Sequence, residues 1–526
     1  MGLSMEANPP LSGDQQRWTR SVTMWTLFAL AVGVAWRTVR YLLQFPVWGD
    51  EAFICLNFPE QTFMGLTEQL RHKQVAPLLF LWSELATFKL LGGSELAVRL
   101  MPFLAGVASL FLFWQICRAS LPPLATALAC AFLAVSYFPV RHSCEAKPYA
   151  FDLFMPLILM APAFMWLRRP EQTRWLTVLA ILTPLAIFGS YPAVFVGGSL
   201  SLALLPAVWS RPDARVRLLY VAYNVLLAAA FLGHYFWVGR AQVGPPQSEV
   251  SDFYQKYWQD AFPPHAPLPL AWWLVKAHAG DMLGYPIGGG NFGSTLTLLL
   301  CLAGAWAVWQ TRNGPLLLMC LLPFVLSCAA AFLHCYPYGT TPRLSQHLAP
   351  AICMLAGCGL AAIVGRLRSQ GGMQARAVSA TFLILVAVGL VGLVRDLRQP
   401  FKTKGEIAAR TFVQQMFAQA GPEDQIVVLE PAEGVKSVLL WYLKQNEQRV
   451  TWGGRLHDDL LERRTQSVWC VHFGWSAARP EPVESRLAQS RRPWHLTRHD
   501  HQLVPGDRPT SPVEYWEIHR WSATSE

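Results

Sequence analysis

The feature that most constrains this chain is a series of about a dozen apolar segments along its first 395 residues. A membrane-spanning helix needs about 20 mostly apolar residues. Candidate segments lie near 22–43, 75–92, 96–117, 121–139, 149–167, 174–188, 193–208, 215–237, 293–309, 315–333, 347–365 and 377–394. Only 14% of the residues are charged, against about 25% in soluble proteins. The sequence therefore predicts a polytopic α-helical membrane protein.

The basic residues predict how these segments cross the membrane. Short cytoplasmic loops carry an excess of Lys and Arg. Simple alternation places most of the short basic loops on one side, which we assign to the cytoplasm: Arg118, Arg168/Arg169/Arg174, Arg211/Arg215/Arg217, Arg312 and Arg366/Arg368/Arg376. Residues 140–149, 238–292 and 334–347 then form external loops, and the C-terminus is external too.

The segment 75–92 is the exception to this alternation. If it crossed the membrane, Arg17 and Arg20 would lie opposite the other basic loops, and it also carries Glu84 and Lys89. We therefore expect it to lie in the outer interface, within a large external loop of about 44–95. The predicted fold has about eleven spans plus this interfacial segment, preceded by a cytoplasmic N-terminus, 1–21.

The chain changes character after the multi-span region 22–395. Residues 396–526 are polar, and β-like runs at 425–430, 467–473 and 513–519 alternate with helical patterns at 405–419 and 433–444. Strands that alternate with helices are typical of an α/β domain. The sequence predicts a small extracytoplasmic α/β domain here, which we expect to cover a membrane-border cleft or to bind a substrate.

An acidic pair, Asp50 and Glu51, follows the first apolar segment. Charge at a membrane border is costly unless it is solvated or paired, so such residues suggest function. A carboxylate in a wet cleft can act as a general base, provided that it reaches the proton it removes. The pair could equally end the first span in water, and these two residues alone do not decide between the interpretations.

A second cluster, Arg141, Glu145, Lys147 and Tyr149, lies on the predicted outer side. Basic residues are depleted there, so topology alone does not explain them. Arg binds phosphate with two parallel hydrogen bonds, while Lys acts as a point charge. The cluster therefore predicts a site for an anionic lipid phosphate. Pro148 is favoured at the start of the helix that follows, which would place Tyr149 at the interface.

Two further external segments carry candidate residues. Arg343, ahead of a late span, is either a phosphate ligand or an arginine that extends its side chain to the interface. The long loop 238–292 is aromatic, which suits sugar faces, headgroups and a plain interfacial position alike. Its aromatic residues include Tyr254, Tyr257, Trp258, Trp272 and Trp273.

Several functions find no support in the sequence. The formal charge of +10 is spread over short loops, so we expect no nucleic-acid partner. The sequence contains no CxxC motif, and the spacing of His72, His265 and His278 matches no metal motif. The glycines at 288–290 lack the context of a phosphate-binding loop.

The membrane part resembles the membrane glycosyltransferases of the GT-C class. The resemblance rests on the acidic pair after the first span, on the run Ser94-Glu95-Leu-Ala-Val-Arg99-Leu-Met-Pro102, and on Arg141-x-x-x-Glu145-Ala-Lys147-Pro-Tyr149. These motifs are similar to those of bacterial relatives of protein O-mannosyltransferase and of the lipid A aminoarabinose transferase. The resemblance covers about residues 20–370.

This resemblance implies a polyprenyl-phosphate-linked sugar donor and transfer with inversion at the extracytoplasmic face. Asp50 would be the general base and Glu51 would help to orient substrate. Arg141, Glu145 and Lys147 would lie near the donor phosphate, with Tyr149 beside them. Arg343 is a further phosphate candidate.

The resemblance also implies partners and a location. The acceptor would be a lipid, a glycan or a protein, in the bilayer of a bacterial inner membrane. Members of the class differ in metal use, so a divalent cation is the one cofactor left open.

Two alternatives remain beside this interpretation. A transporter or lipid flippase would favour broken or charged helices near the middle of the membrane and paired inverted halves, and neither is evident in the sequence. A catalytically inactive relative that acts as a scaffold would keep the same residues, so only an assay separates it from an enzyme.

Overall fold

The structure is a computed structural model that describes residues 13–245, 247–288, 291–366, 373–429, 437–446, 449–452, 467–474, 481–489, 493–504 and 514–523. Within it, the chain forms two compact units. The membrane unit comprises Met1–Gln44 and Thr62–Arg398, and the sheet unit comprises Phe45–Gln61 and Gln399–Glu526. The predicted external loop 44–95 is thus divided between the two units.

Helices dominate the described part of the chain. The first ten are α1 (Gly13–Leu42), α2 (Gly49–Cys55), α3 (Leu78–Leu91), α4 (Leu100–Ser120), α5 (Pro123–Val135), α6 (Tyr137–His142), α7 (Tyr149–Arg168), α8 (Arg174–Gly189), α9 (Ala193–Trp209) and α10 (Ala214–His234). The remainder are α11 (Arg240–Val243), α12 (Glu249–Tyr257), α13 (Pro267–Ala279), α14 (Gly293–Gln310), α15 (Gly314–Phe332), α16 (Ala349–Arg366), α17 (Met373–Arg398), α18 (Lys404–Gln419), α19 (Ser437–Lys444) and α20 (Glu481–Gln489).

Short helical turns and five strands complete the secondary structure of the described residues. The 3₁₀ turns are Gly65–Thr67, Arg71–Lys73, Ala97–Arg99, Gln259–Ala261 and Pro342–Leu348, and Tyr235–Gly239 is a π-helical turn. The strands are β1 (Gln425–Val428), β2 (Val450–Trp452), β3 (Ser467–Gly474), β4 (Trp494–Val504) and β5 (Glu514–Ala523).

The described residues contain eight helices that are long and apolar enough to cross a membrane. These are Trp18–Leu42, Ala97–Ser120, Tyr149–Arg168, Ala214–Val243, Gly293–Gln310, Gly314–Phe332, Pro342–Arg366 and Arg376–Arg398. Three shorter apolar helices are Pro123–Val135, Arg174–Gly189 and Ala193–Trp209. Together they coincide with the eleven predicted spans, and the prediction of a polytopic helical membrane protein is confirmed.

Helix α3 coincides with the predicted interfacial segment. Its 14 residues rise by about 21 Å, which is less than the roughly 30 Å apolar core of a bilayer. It carries the buried Glu84 and the exposed Lys89. The position of this helix relative to the membrane stays a prediction.

Buried polar contacts tie the first helix to its neighbours. The Arg37 guanidinium donates to the carbonyl oxygens of Gly33 at 3.0 Å and Ala134 at 3.1 Å. Arg40 pairs with Asp396 near the end of α17, so the first and last spans are joined by an ion pair. The roles of these two arginines within α1 could not be predicted from the sequence, because their partners are distant in sequence.

The sheet unit contains one mixed five-stranded sheet in the order β2-β1-β3-β5-β4. Strands β1, β2 and β3 pair in parallel, whereas β5 pairs antiparallel with β3 and β4. A buried apolar cluster on β1, β3, β5 and α20 forms its core, including Val427, Val468, Cys470, Val483 and Trp521. The predicted α/β character of this region is confirmed.

Candidate functional site

Residues 141–149, which we call the site loop, connect α6 to α7 in the membrane unit. Helix α6 ends at His142, and the N–H of Ser143 donates to the Pro139 carbonyl at 3.2 Å. Helix α7 begins at Tyr149, directly after Pro148, as the sequence predicted. The loop is therefore a short turn between two helix ends, and such a turn restricts where its side chains can point.

Glu145 organises the site loop. One carboxylate oxygen accepts a hydrogen bond from Arg141 Nε at 2.7 Å, and the other lies 2.9 Å from His142 Nδ1. His142 also packs edge-on against the Tyr149 ring, with 4.9 Å between ring centroids. Three of the predicted residues, Arg141, Glu145 and Tyr149, are thus brought together around one histidine.

The charge state of His142 follows from its surroundings. Burial lowers the pKa of His142 below its usual value, and the Arg141 and Arg343 charges lower it further, while Glu145 opposes them. The ring is therefore neutral at pH 7, and its Nδ1–H donates to the Glu145 carboxylate. Sequence reasoning passed over His142, although it lies inside the motif that was singled out.

The Arg141 guanidinium stays charged in this setting. Burial alone would lower the pKa of Arg141, but Glu145, together with Tyr137 and Tyr149, raises it above its usual value. A buried cation that is oriented by a carboxylate keeps a fixed geometry. Such a group suits recognition of an anion that approaches from a defined direction.

Lys147 is held by a residue from another part of the membrane unit. Its ammonium donates to the Gln74 side-chain oxygen at 2.9 Å, and both side chains are buried. The Gln74 amide donates to the His72 carbonyl at 3.0 Å. His72 and Lys73 have left-handed backbone angles, with φ of 59° and 53°, which is uncommon for residues other than glycine.

The extended segment after Gln74 is fixed by a buried amide. The Ala76 N–H donates to the Gln242 side-chain oxygen at 3.0 Å, and the Tyr191 hydroxyl donates to the same oxygen at 3.1 Å. Tyr191 OH also lies 3.2 Å from the Ala76 carbonyl. The segment that contains Gln74 is therefore itself fixed by hydrogen bonds. This restricts the position of the Lys147 ammonium, which Gln74 holds.

Arg343 occupies a 3₁₀ turn, Pro342–Leu348, ahead of α16. Its Nη2 donates to the Tyr257 hydroxyl at 3.3 Å, and its guanidinium lies 5.0 Å from the centroid of the Trp258 ring. Since its charge affects the pKa of His142, it lies within electrostatic range of the site loop. Two of the aromatic residues noted in the loop 238–292 thus contact a predicted phosphate ligand.

Asp50 and Glu51 lie in the first turn of α2, in the sheet unit. Glu51 is fully buried, and one of its oxygens accepts from the Trp48 N–H at 3.1 Å. Asp50 is half-buried. Carboxylates in the first turn of a helix are stabilised by its dipole. The two residues therefore differ: Glu51 fixes the start of the helix, whereas Asp50 keeps access to solvent.

The described residues contain no group of three His, Cys, Asp or Glu side chains that could hold a metal ion. Of the histidines considered in the sequence, His278 lies 3.0 Å from the Tyr338 hydroxyl and 2.8 Å from the Leu274 carbonyl. Both of its nitrogens thus have partners within the protein. Residues 289–290 of the triple glycine lie outside the described residues.

The match to a known protein family lies within the membrane unit. Residues 75–237 match the family described as dolichyl-phosphate-mannose-protein mannosyltransferase. This stretch includes the site loop and the segment that anchors Lys147. No curated protein matches the chain in sequence.

Solved structures match nearly the whole fold. ArnT from Cupriavidus metallidurans, bound to undecaprenyl phosphate, has a TM-score of 0.56 at 13% identity, covering 94% of this chain and 98% of that one. The same protein in its apo state gives 0.52 at 13% identity, with the same coverage. An oligosaccharyltransferase from Archaeoglobus fulgidus gives a TM-score of 0.46 at 11% identity, covering 87% of this chain and 70% of that one.

The chain resembles the membrane glycosyltransferases of the GT-C class in its fold and over residues 75–237. The predicted resemblance to this class is confirmed.

Proposed function

We propose that this protein transfers a sugar from a polyprenyl-phosphate-linked donor to a lipid, glycan or protein acceptor, with inversion, on the outer face of a bacterial inner membrane. The observation that carries the proposal is that the site loop lies within the stretch that matches a family named for a polyprenyl-phosphate-sugar donor. The undecaprenyl phosphate bound to the structurally similar ArnT supports the same class of donor.

The chemistry requires a base and a stabilised leaving group. Asp50 takes the proton of the acceptor hydroxyl while that oxygen attacks the anomeric carbon. The bond from this carbon to the phosphate oxygen breaks, and the polyprenyl phosphate leaves with the electron pair. One carboxylate suffices for a single inverting displacement, whereas retention would usually need a nucleophilic carboxylate.

The cations act on the leaving phosphate. The donor phosphate is a diester, and it gains a negative charge when the sugar leaves. Fixed cations stabilise that developing charge more in the transition state than in the ground state. Arg141, Lys147 and Arg343 take this role, with Glu145 orienting Arg141 and Tyr149 packing against His142. Glu51 keeps the start of α2 in place.

The test is transfer from a panel of polyprenyl-phosphate sugars by purified protein in nanodiscs, with Asp50→Asn beside wild type. We expect wild type to consume one donor and Asp50→Asn to be slower by about 10²- to 10⁴-fold, the usual contribution of a general base. Full activity of Asp50→Asn would remove Asp50 as the base. Lipid movement across liposomes without sugar transfer would favour the transporter instead.

The orientation has its own test. Cys335, in the predicted external loop 334–347, is exposed, while the other ten cysteines are buried or half-buried. A membrane-impermeant thiol reagent applied to intact spheroplasts should label wild type and leave Cys335→Ser unlabelled. Labelling only after lysis would place this loop, and with it Arg343, on the cytoplasmic side.

A further inference from the structure

The acidic helix α2 belongs structurally to the C-terminal part of the chain. Residues Phe45–Gln61 form one compact unit with Gln399–Glu526, and α2 packs against α19. We propose that this sheet unit positions Asp50 for catalysis, with Tyr442 as the main positioning residue. The inference rests on the proposed function, because it assigns a support to the proposed base.

Tyr442 makes the central contact. Its hydroxyl accepts a hydrogen bond from the Val47 N–H at 3.0 Å. Val47 is fully buried and Tyr442 is 5% exposed, so water does not readily replace this bond. A buried backbone N–H without a partner is unfavourable, and Val47 is three residues ahead of Asp50. Tyr442 therefore fixes the backbone from which the acidic helix starts.

Trp48 makes a second contact, next to the first. The Lys402 ammonium lies 2.8 Å from the centroid of the Trp48 ring, an arrangement in which the cation is attracted to the ring face. The Trp48 N–H donates to the buried Glu51 carboxylate at 3.1 Å. Trp48, the residue directly before α2, is therefore held both by the helix that follows it and by Lys402.

An ion pair fixes the other end of the segment. Lys444, the last residue of α19, pairs with Glu60. The segment 47–60 is thus attached to the rest of the sheet unit at two residues before α2 and at one residue after it. Together, the three attachments restrict both the translation and the rotation of α2.

The catalytic consequence follows from the geometry that a base requires. A general base must lie within hydrogen-bond reach of its proton, and a displacement of about 1 Å can slow a reaction by about 10²-fold. Loosening α2 should therefore lower kcat. It should leave donor binding almost unchanged, because the cations proposed to bind the phosphate belong to the membrane unit.

Point variants test this better than truncation. Removing residues after 395 would delete these three attachments together with the whole domain, so a loss of transfer would not identify the cause. Tyr442→Phe removes one hydroxyl. Tyr223→Phe is the matched control, because that buried tyrosine also makes a hydrogen bond, 2.6 Å to the Gly197 carbonyl, but lies in α10 of the membrane unit.

The experiment measures kcat and donor KM for wild type, Tyr442→Phe, Tyr223→Phe and Asp50→Asn, each normalised to folded protein. We expect Tyr442→Phe to lower kcat by about 10- to 100-fold, with donor KM within about twofold of wild type. We expect Tyr223→Phe to keep wild-type kcat per folded molecule.

A charge exchange keeps the proposal testable if Tyr442→Phe does not fold. Glu60→Lys and Lys444→Glu should each lower kcat, and the double variant should recover it. A kcat of Tyr442→Phe equal to wild type beside an inactive Asp50→Asn would overturn the positioning alone. An active Asp50→Asn would overturn the proposed base, and the positioning with it.

Discussion

The site loop and the acidic helix both carry candidate site residues but are held in different ways. In the site loop, Arg141 and His142 each bond to Glu145, within five residues of sequence. The acidic helix depends on Tyr442, which lies 395 residues from its partner Val47. The difference shows that one group of candidate residues orients itself, while the other is oriented by a distant part of the chain.

The largest effect should come from breaking the site loop at its centre. In Glu145→Gln, Arg141 would lose its carboxylate partner in a largely buried position, where such a loss typically costs about 3–5 kcal/mol. We expect a corresponding drop in the stability of the detergent-solubilised protein, measured by thermal unfolding.

Glu171→Gln is the control for that experiment. Glu171 pairs with Arg211 at 3.0 Å, but its side chain is 78% exposed, and exposed ion pairs contribute about 0–1 kcal/mol. Equal effects of the two substitutions would mean that the site loop is no better ordered than the surface, and the contrast with the acidic helix would disappear.

The next effect concerns the anchor of Lys147. Gln74→Leu removes the oxygen that accepts from the buried ammonium, and a hydrogen bond to a charged group contributes about 1.5–3 kcal/mol. We expect binding of undecaprenyl phosphate, measured by equilibrium titration in nanodiscs, to weaken by at least about tenfold.

Gln172→Leu is the matched control here. The Gln172 side-chain oxygen also accepts from a cation, Arg174, at 3.0 Å, but in an exposed loop between α7 and α8. Gln172→Leu should leave lipid binding unchanged. Wild-type lipid affinity of Gln74→Leu would show that the segment around Gln74 has no part in placing Lys147.

A pH titration should separate the two regions further. Since the folded-state pKa of His142 lies below its usual value of 6.5, the unfolded state binds a proton first as the pH falls. Stability is therefore full above about pH 6.5 and decreases below it, by up to about 1.4 kcal/mol per pH unit.

His142→Gln cannot titrate, so its unfolding should lose this part of the pH dependence between about pH 6.5 and 5. The comparison uses thermal unfolding of wild type and variant at each pH. Identical slopes would mean that the histidine titrates alike in both states, and that burial does not keep it neutral.

The smallest effect should come from the aromatic support of Arg343. Trp258→Leu removes a cation–π contact that is worth about 0.5–1 kcal/mol. We expect lipid binding to weaken by about two- to fivefold, measured by the same titration. Trp272→Leu, in the same loop 238–292 and 68% exposed, should have no effect; a loss of equal size there would assign the change to the loop as a whole.

Much of the fold could be predicted because a helix that crosses the bilayer needs about 20 mostly apolar residues. Apolar segments of about that length can be read directly from the sequence. The same holds for the inner strands of the sheet: β1, β3 and β5, which were predicted, are the three interior strands. Strands β2 and β4 were missed. They form the two edges, where β2 has three residues and the described side chains at 495–498 of β4 are exposed, so neither shows an apolar pattern.

The residues of the candidate site could be named from the sequence, but their supports could not. Arg141, Glu145 and Lys147 stand in one short motif, whereas Gln74 is 73 residues from Lys147 and Tyr442 is 395 residues from Val47. Neither Gln74 nor Tyr442 belongs to a periodic pattern or a spacing that signals a partner. Such pairs become visible only when the chain is folded, because packing of remote segments determines them.

The most direct test of separate roles for the two regions is to measure lipid binding and a single turnover on the same variants. Asp50→Asn should bind undecaprenyl phosphate as wild type does and transfer sugar at least about 100-fold more slowly. Lys147→Met should bind the lipid at least about tenfold more weakly. Wild-type turnover by Asp50→Asn, or wild-type lipid affinity of Lys147→Met, would contradict the account.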